Sequence, residues 1–138
     1  MRVLVTGGAG YVGSHCVRAL CEAGHEVIVF DSLLKGHREA VDKRTTLIVG
    51  DLADAALVDR TLAEGRFDAV MHFAALAEVG ESVRDPLRYY RNNVVNSVTL
   101  LDAMRRRHVL RFIFSSSCAV YGVPPAVPIT ESMPKNPV

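Results

Sequence analysis

Three glycines spaced three apart, Gly7, Gly10 and Gly13, interrupt the apolar start of the chain in the stretch VTGGAGYVGSH. Glycine at such positions allows a tight turn, lets the backbone approach an anionic group with no Cβ in between, and lets a following helix pack close to the preceding strand. The stretch also fits the narrower GxGxxG frame, as Gly8-Ala9-Gly10-Tyr11-Val12-Gly13. Both frames point to the same chemistry. The first turn of a helix offers unpaired N–H donors and the positive end of its dipole, which suits a pyrophosphate. Asp31 stands 18 residues after Gly13, where a carboxylate accepts hydrogen bonds from ribose hydroxyls and repels a 2′-phosphate. Together these residues predict a dinucleotide site that favours NAD over NADP. Lys35 and Arg38 nearby are cations that act against that preference.

Such a site needs a strand before the glycines, a helix after them and a second strand ending at the acid. RVLVT is a β-branched apolar run, and YVGSHCVRALCEAG then puts Val12, Cys16, Val17 and Leu20 at helical spacing before closing on Gly24. EVIVF is a continuous apolar run, as a parallel strand covered on both faces requires, with Asp31 at its end. TTLIVGD repeats the pattern, followed by a helix over about Ala53 to Glu64, and FDAVMHFAA makes a fourth strand. Pro86 is placed to open a long helix running to about Arg107, and RFIFSSS is the fifth strand. Ser115 and Ser116 read as backbone partners at its end. Strands alternating with helices predict right-handed crossovers and an α/β, Rossmann-like doubly wound parallel sheet of order 3-2-1-4-5. From Gly122 onward the chain carries five of its six prolines and reads as loop.

The 138 residues suffice for one domain and one core. With 16 Lys+Arg against 15 Asp+Glu, the basic excess needed for phosphate-backbone binding is missing, which argues against nucleic acid as a partner. The run Arg105-Arg106-Arg107-His108 falls where the long helix ends and reads as cations facing the negative end of its dipole. The apolar run after Met1 and Arg2 is too short for a signal-peptide core or a membrane span, so the expectation is a cytoplasmic protein without a membrane partner. Cys16, Cys21 and Cys118 show no metal-binding or disulfide spacing and are expected as small buried apolar side chains. No metal site is predicted. His72 has no ligand or nucleophile beside it and is expected in the core.

The order of TGGAGYVG, GDLAD, HFAA with VGES, YYRNN and SSSCAVYG resembles the extended short-chain dehydrogenase/reductases, most closely their UDP-hexose 4-epimerases, and the resemblance covers the whole chain. It implies that Tyr11 and Val12 meet the pyrophosphate through their backbone, that Asp31 and Ser32 hold the adenosine ribose, and that Asp51 and Leu52 flank the adenine. Phe73, Ala74 and Ala75 would line the cofactor at the end of strand four, and Asn92 would reach it from the long helix. Gly36 and Ala77 are also placed on the cofactor, although some relatives carry a lysine at the Ala77 position, whose charge is absent here. Val79 and Ser117 fall on the sugar, Ser117 as the catalytic residue that hydrogen-bonds the reacting hydroxyl.

The implied reaction is NAD-dependent epimerisation at C4 of a UDP-hexose, with a UDP-sugar as substrate and a homodimer as the assembly of the full-length protein. Related dehydratases have an Asp-Glu pair where Cys118-Ala119 stand, so elimination of water is disfavoured. The family's base is the tyrosine of a Tyr-x-x-x-Lys pair. Tyr11, Tyr89, Tyr90 and Tyr121 are followed four residues on by His15, Asn93, Val94 and Pro125, so the pair is absent from these 138 residues. The expectation is an NAD-binding domain cut before its later strands and substrate domain, inactive alone and association-prone through a bare fifth strand. The alternatives are another nucleotide-sugar enzyme of the same family and a non-catalytic NAD-binding module.

Overall fold

The computed structural model describes residues 1–137; the loop expected from Gly122 onward is seen to 137, and Val138 lies outside the described residues. Five strands, β1 (Arg2–Thr6), β2 (Glu26–Asp31), β3 (Thr46–Val49), β4 (Ala69–His72) and β5 (Phe112–Phe114), form one sheet of order β3-β2-β1-β4-β5. Every pairing is parallel, and Thr6 stands opposite both Phe30 and His72, so the strands finish along a common edge. That is the predicted doubly wound arrangement.

The apolar runs are continuous because each central strand is covered twice. Leu4, Ile28, Phe30 and Val70 point to one face, where they pack with Val58 and Leu62 of α2 (Ala55–Gly65) and with Leu100, Ala103 and Met104 of α5 (Asn96–Arg106). Val3, Val5, Val27 and Val29 point to the other, against Val17 and Leu20 of α1 (Tyr11–Glu22). Side chains of this size each contribute about 1.5–3 kcal/mol when fully buried. Gly24, at φ +79°, ends α1 in the left-handed conformation that favours glycine.

Three expectations are corrected in detail, and one short helix is added. The helix expected from Pro86 to Arg107 is broken into α4 (Pro86–Tyr89), a π-helical turn over Tyr90–Val95, and α5. Ser97 donates its hydroxyl to the carbonyl of Asn93 (2.7 Å), and Asn93 is drawn to the backbone of Leu76, so side chains compete with the regular ladder there. The VGES block forms a short helix of its own, α3 (Val79–Arg84). β5 ends at Phe114; Ser115 still donates to His72 O (3.0 Å), after which Ser117 starts a 3₁₀ turn over Cys118–Tyr121. Cys118 is exposed, and Cys16 and Cys21 are only half-buried, so the cysteines are not uniformly core residues.

The basic run does more than face a dipole. Arg106 and Arg107 both bridge to Asp59 of α2, tying the two helices on that face together. Ile113 and Phe114 are 53% and 58% exposed, leaving β5 as a bare apolar edge.

Candidate functional site

Between β1 and α1 the glycines are held by backbone neighbours. Gly7 has φ +76°, and a Cβ there would stand 2.4 Å from Ala74 N and 2.6 Å from Phe73 C. A Cβ on Gly13 would stand 2.2 Å from Gly7 O. Neither neighbour can yield, so these two residues set how closely α1 and the end of β4 approach the loop. At Gly10 the nearest atom to an added Cβ is Gly7 O at 3.4 Å, an ordinary contact. Its open side faces the groove, whereas Gly8 meets only side-chain atoms of Val29 and Val17 at 2.8–3.1 Å. The wider frame, Gly7-Gly10-Gly13, therefore carries the backbone geometry.

Helix α1 starts without a side-chain cap and with no acidic residue in its first turn. Among the described residues, the amides of Tyr11, Val12 and Gly13 donate to no protein group. These unpaired donors and the dipole behind them form an anion-binding end. Tyr11 and Val12 are exposed, and the Tyr11 ring stands edge-on to His15 at 5.1 Å. Gly13 is buried beneath the turn.

Asp31 closes β2 with only 8% of its surface exposed. Its Oδ2 accepts the amide of Ala9 (2.9 Å) and its Oδ1 the amide of Leu33 (2.8 Å), the latter aimed back by a left-handed Leu33 at φ +58°. Each carboxylate oxygen keeps a second lone pair for an incoming hydroxyl. A Cβ at Gly36 would reach 2.9 Å from Asp31 Oδ1 and 2.8 Å from Ala9 Cβ, so that glycine keeps the rim of the carboxylate open.

These features border one groove along the C-terminal ends of the strands. Its lining includes Gly7, Gly10, Asp31, Ser32, Lys35 and Gly36. Asp51 and Leu52 after β3 line it on one side of β2 and β1, and Phe73, Ala74, Ala75 and Leu76 after β4 on the other. Asn92, from the π-helical turn, and Asn96 complete it. Ligands of open α/β sheets sit at this edge, in the crevice where the strand order reverses, here between β1 and β4. A second hollow near Arg2, Arg60 and Phe67 lies toward the other ends of the strands.

The remaining sequence-predicted residues lie outside the groove lining. Ala77 and Val79 are exposed at the approach to α3. Ser117 is also exposed, its Oγ accepting the amide of Ala119 (3.2 Å), which leaves its hydroxyl proton to donate elsewhere. His72 is buried as expected, and burial pushes its pKa below the ordinary histidine value.

Some pairings had no sequence signal. Lys35 Nζ bridges to Glu78 Oε1 at 2.5 Å, joining the loop after β2 to the segment before α3, and that hydrogen bond and charge raise the lysine pKa. Asn93 grips the backbone of Leu76 through both ends of its amide, at 2.9 Å each. Glu81 of VGES accepts the Tyr89 hydroxyl (2.9 Å) and pairs with Arg88, both of which hold its carboxyl below the usual range.

The NAD dependent epimerase/dehydratase family matches residues 3–138. UDP-glucose 4-epimerase of Lactobacillus helveticus is 51% identical over 138 residues, which are all of this chain and 42% of that protein. Among solved structures, UDP-glucose 4-epimerase from Brucella ovis in complex with NAD gives a TM-score of 0.89 at 47% identity, covering 99% of this chain and 42% of that one. The enzyme of the same name from Thermotoga maritima with UDP-glucose gives 0.89 at 36% identity, covering 100% and 45%. This chain thus spans about two fifths of the length of these relatives.

Proposed function

The chain belongs to the NAD dependent epimerase/dehydratase family, and from that premise we propose that residues 1–138 are the NAD-binding unit of an enzyme that epimerises C4 of a UDP-hexose, interconverting UDP-glucose and UDP-galactose. The observation that carries this reading is that the glycine turn leading into the unpaired first turn of α1 lines one groove with Asp31, through Gly7 and Gly10. The solved relatives from Brucella ovis, in complex with NAD, and from Thermotoga maritima, with UDP-glucose, support the choice of ligands.

The residues present fit a dinucleotide. The turn between Gly7 and Gly13 has no side chain where a pyrophosphate would approach, and the amides of Tyr11 and Val12 are the donors that would hold it. Asp31, with Ser32 beside it, would take the ribose hydroxyls. Its carboxylate is fixed by two amides and cannot swing away, so a 2′-phosphate there meets an immovable negative charge. Asp51 and Leu52, which line the groove, would flank a base, while Phe73, Ala74, Ala75 and Asn92 would close over the rest. Gly36 keeps the ribose side open, and Ala77 and Val79 stand at the outer approach.

NAD, when bound, supplies acceptance and return of hydride at the sugar C4. The chain's own part is to orient that exchange and keep water from it. Ser117 retains a hydroxyl proton for the sugar's reacting oxygen. Cys118 and Ala119 offer no acid–base pair for water elimination, which favours epimerisation over dehydration. No Tyr-x-x-x-Lys occurs in the 138 residues, so this chain alone binds NAD without turning sugar over.

Calorimetric titration with NAD and NADP, followed by an assay of the same sample for UDP-glucose/UDP-galactose interconversion, tests the reading. Binding of NAD in preference to NADP, without turnover, is expected. Failure to bind NAD would refute it, and turnover would overturn the account of the base.

A further inference from the structure

A polar chain runs from the middle of the sheet to the wall of the groove. His72 closes β4 at 3% exposure, with Nδ1 2.6 Å from Thr6 Oγ1 and Nε2 3.0 Å from Ser97 Oγ. Ser97 has one hydroxyl proton and donates it to the Asn93 carbonyl at 2.7 Å, since a carbonyl can only accept. Toward His72 the serine oxygen must therefore accept, and the ring proton sits on Nε2. In the neutral ring Nδ1 then accepts from Thr6. Burial, which disfavours the charged ring, agrees with that state.

The chain continues beyond Ser97. Asn93 stands in the π-helical turn and uses its amide on both the N–H and the carbonyl of Leu76, while its Oδ1 also accepts from Asn92 Nδ2 (2.8 Å). Leu76 and Asn92 are themselves part of the groove lining. One buried imidazole is thus two hydrogen bonds away from the residue that fixes the groove wall.

We propose that His72 is a positioning residue for the groove: through Ser97 it holds the π-helical turn in the register that lets Asn93 clamp Leu76 and present Asn92. A histidine that merely fills and satisfies the core would contribute to stability alone. The proposal rests on the reading of the groove as the NAD site.

The test uses His72→Phe, which keeps an aromatic ring beside Phe112 and Phe114 but deletes both hydrogen bonds, and Ser97→Ala, a smaller change at a half-buried site. Each folded variant should bind NAD about tenfold more weakly, the size of one lost hydrogen bond in a binding constant. The double variant should be no weaker than either single one, because both cut the same chain. His72→Gln, whose amide can donate to Ser97, should recover most of the affinity.

Should His72→Phe fail to fold, Ser97→Ala and His72→Gln carry the comparison. A second readout needs no cofactor: hydrogen exchange of the Leu76 amide should quicken in Ser97→Ala. Unchanged exchange at Leu76, or unchanged NAD affinity in the folded variants, overturns the proposal. Absence of NAD binding by the unaltered chain would refute the NAD reading instead, and the exchange result would still decide the role of His72.

Discussion

Asp31 Oδ2 accepts the amide of Ala9 at 2.9 Å, so the acid that ends the second strand is bonded to the glycine turn that ends the first. Residues 22 positions apart in sequence thereby become one rigid rim, with the Leu33 amide holding the other oxygen. An acid spaced from a glycine loop can be a coincidence of composition. An acid locked onto that loop with its outer lone pairs free is a prepared receptor.

Asp31→Asn should therefore damage both stability and selectivity. An asparagine can accept only one of the two amides and turns an N–H donor toward the other, costing about 1–3 kcal/mol. Urea denaturation should show that loss. In titrations the preference for NAD over NADP should shrink, and an unchanged preference would remove Asp31 from the discriminating role.

The glycines should separate by what they touch. Gly13→Ala forces a Cβ into Gly7 O and should cost on the order of 2 kcal/mol or more, with NAD binding lost. Gly10→Ala meets nothing closer than 3.4 Å and should leave the melting temperature nearly unchanged while still weakening NAD. Equal destabilisation by both would contradict the geometry.

Lys35 and Glu78 form an exposed pair at the groove, a kind that contributes little to folding. Lys35→Gln should leave thermal unfolding alone, weaken NAD several-fold and flatten the salt dependence of binding, because the groove that takes the anionic cofactor has lost one cation. Glu78→Gln should free the lysine and not weaken binding. Loss of affinity in Glu78→Gln would mean that the pair acts as a brace instead.

His72 should show in the pH dependence of stability. Its folded pKa is lowered by burial, so the unfolded chain takes up the proton first as pH falls. The stabilisation is present above the unfolded value, about 6.5, and is lost below it, at up to roughly 1.4 kcal/mol per pH unit. Urea midpoints measured from pH 7.5 to 5.5 should fall in the unaltered chain, and His72→Gln should remove part of that slope.

The sheet was legible because parallel strands buried on both faces need unbroken apolar runs, and Val3–Val5 and Val27–Phe30 provide them. The glycine turn and Asp31 were legible for a related reason: backbone crowding at Gly7 and Gly13 admits one residue type. The break at Tyr90–Val95 was not, since those residues read as plain helix and the cause is a bond from Asn93 to Leu76, 17 positions away. The Lys35–Glu78 pair is likewise long-range, 43 positions apart, and leaves no local pattern. The bare edge at Phe114 follows from strand order, which the alternation of elements already implied.

The most direct measurement is an amide ¹H–¹⁵N titration of the 138-residue chain with NAD. The account predicts that the largest shifts fall on the amides of Tyr11, Val12 and Gly13, with further shifts at Ala9, Leu33 and Leu76. Shifts confined to the hollow around Arg2, Arg60 and Phe67, or no shifts at saturating NAD, would contradict it.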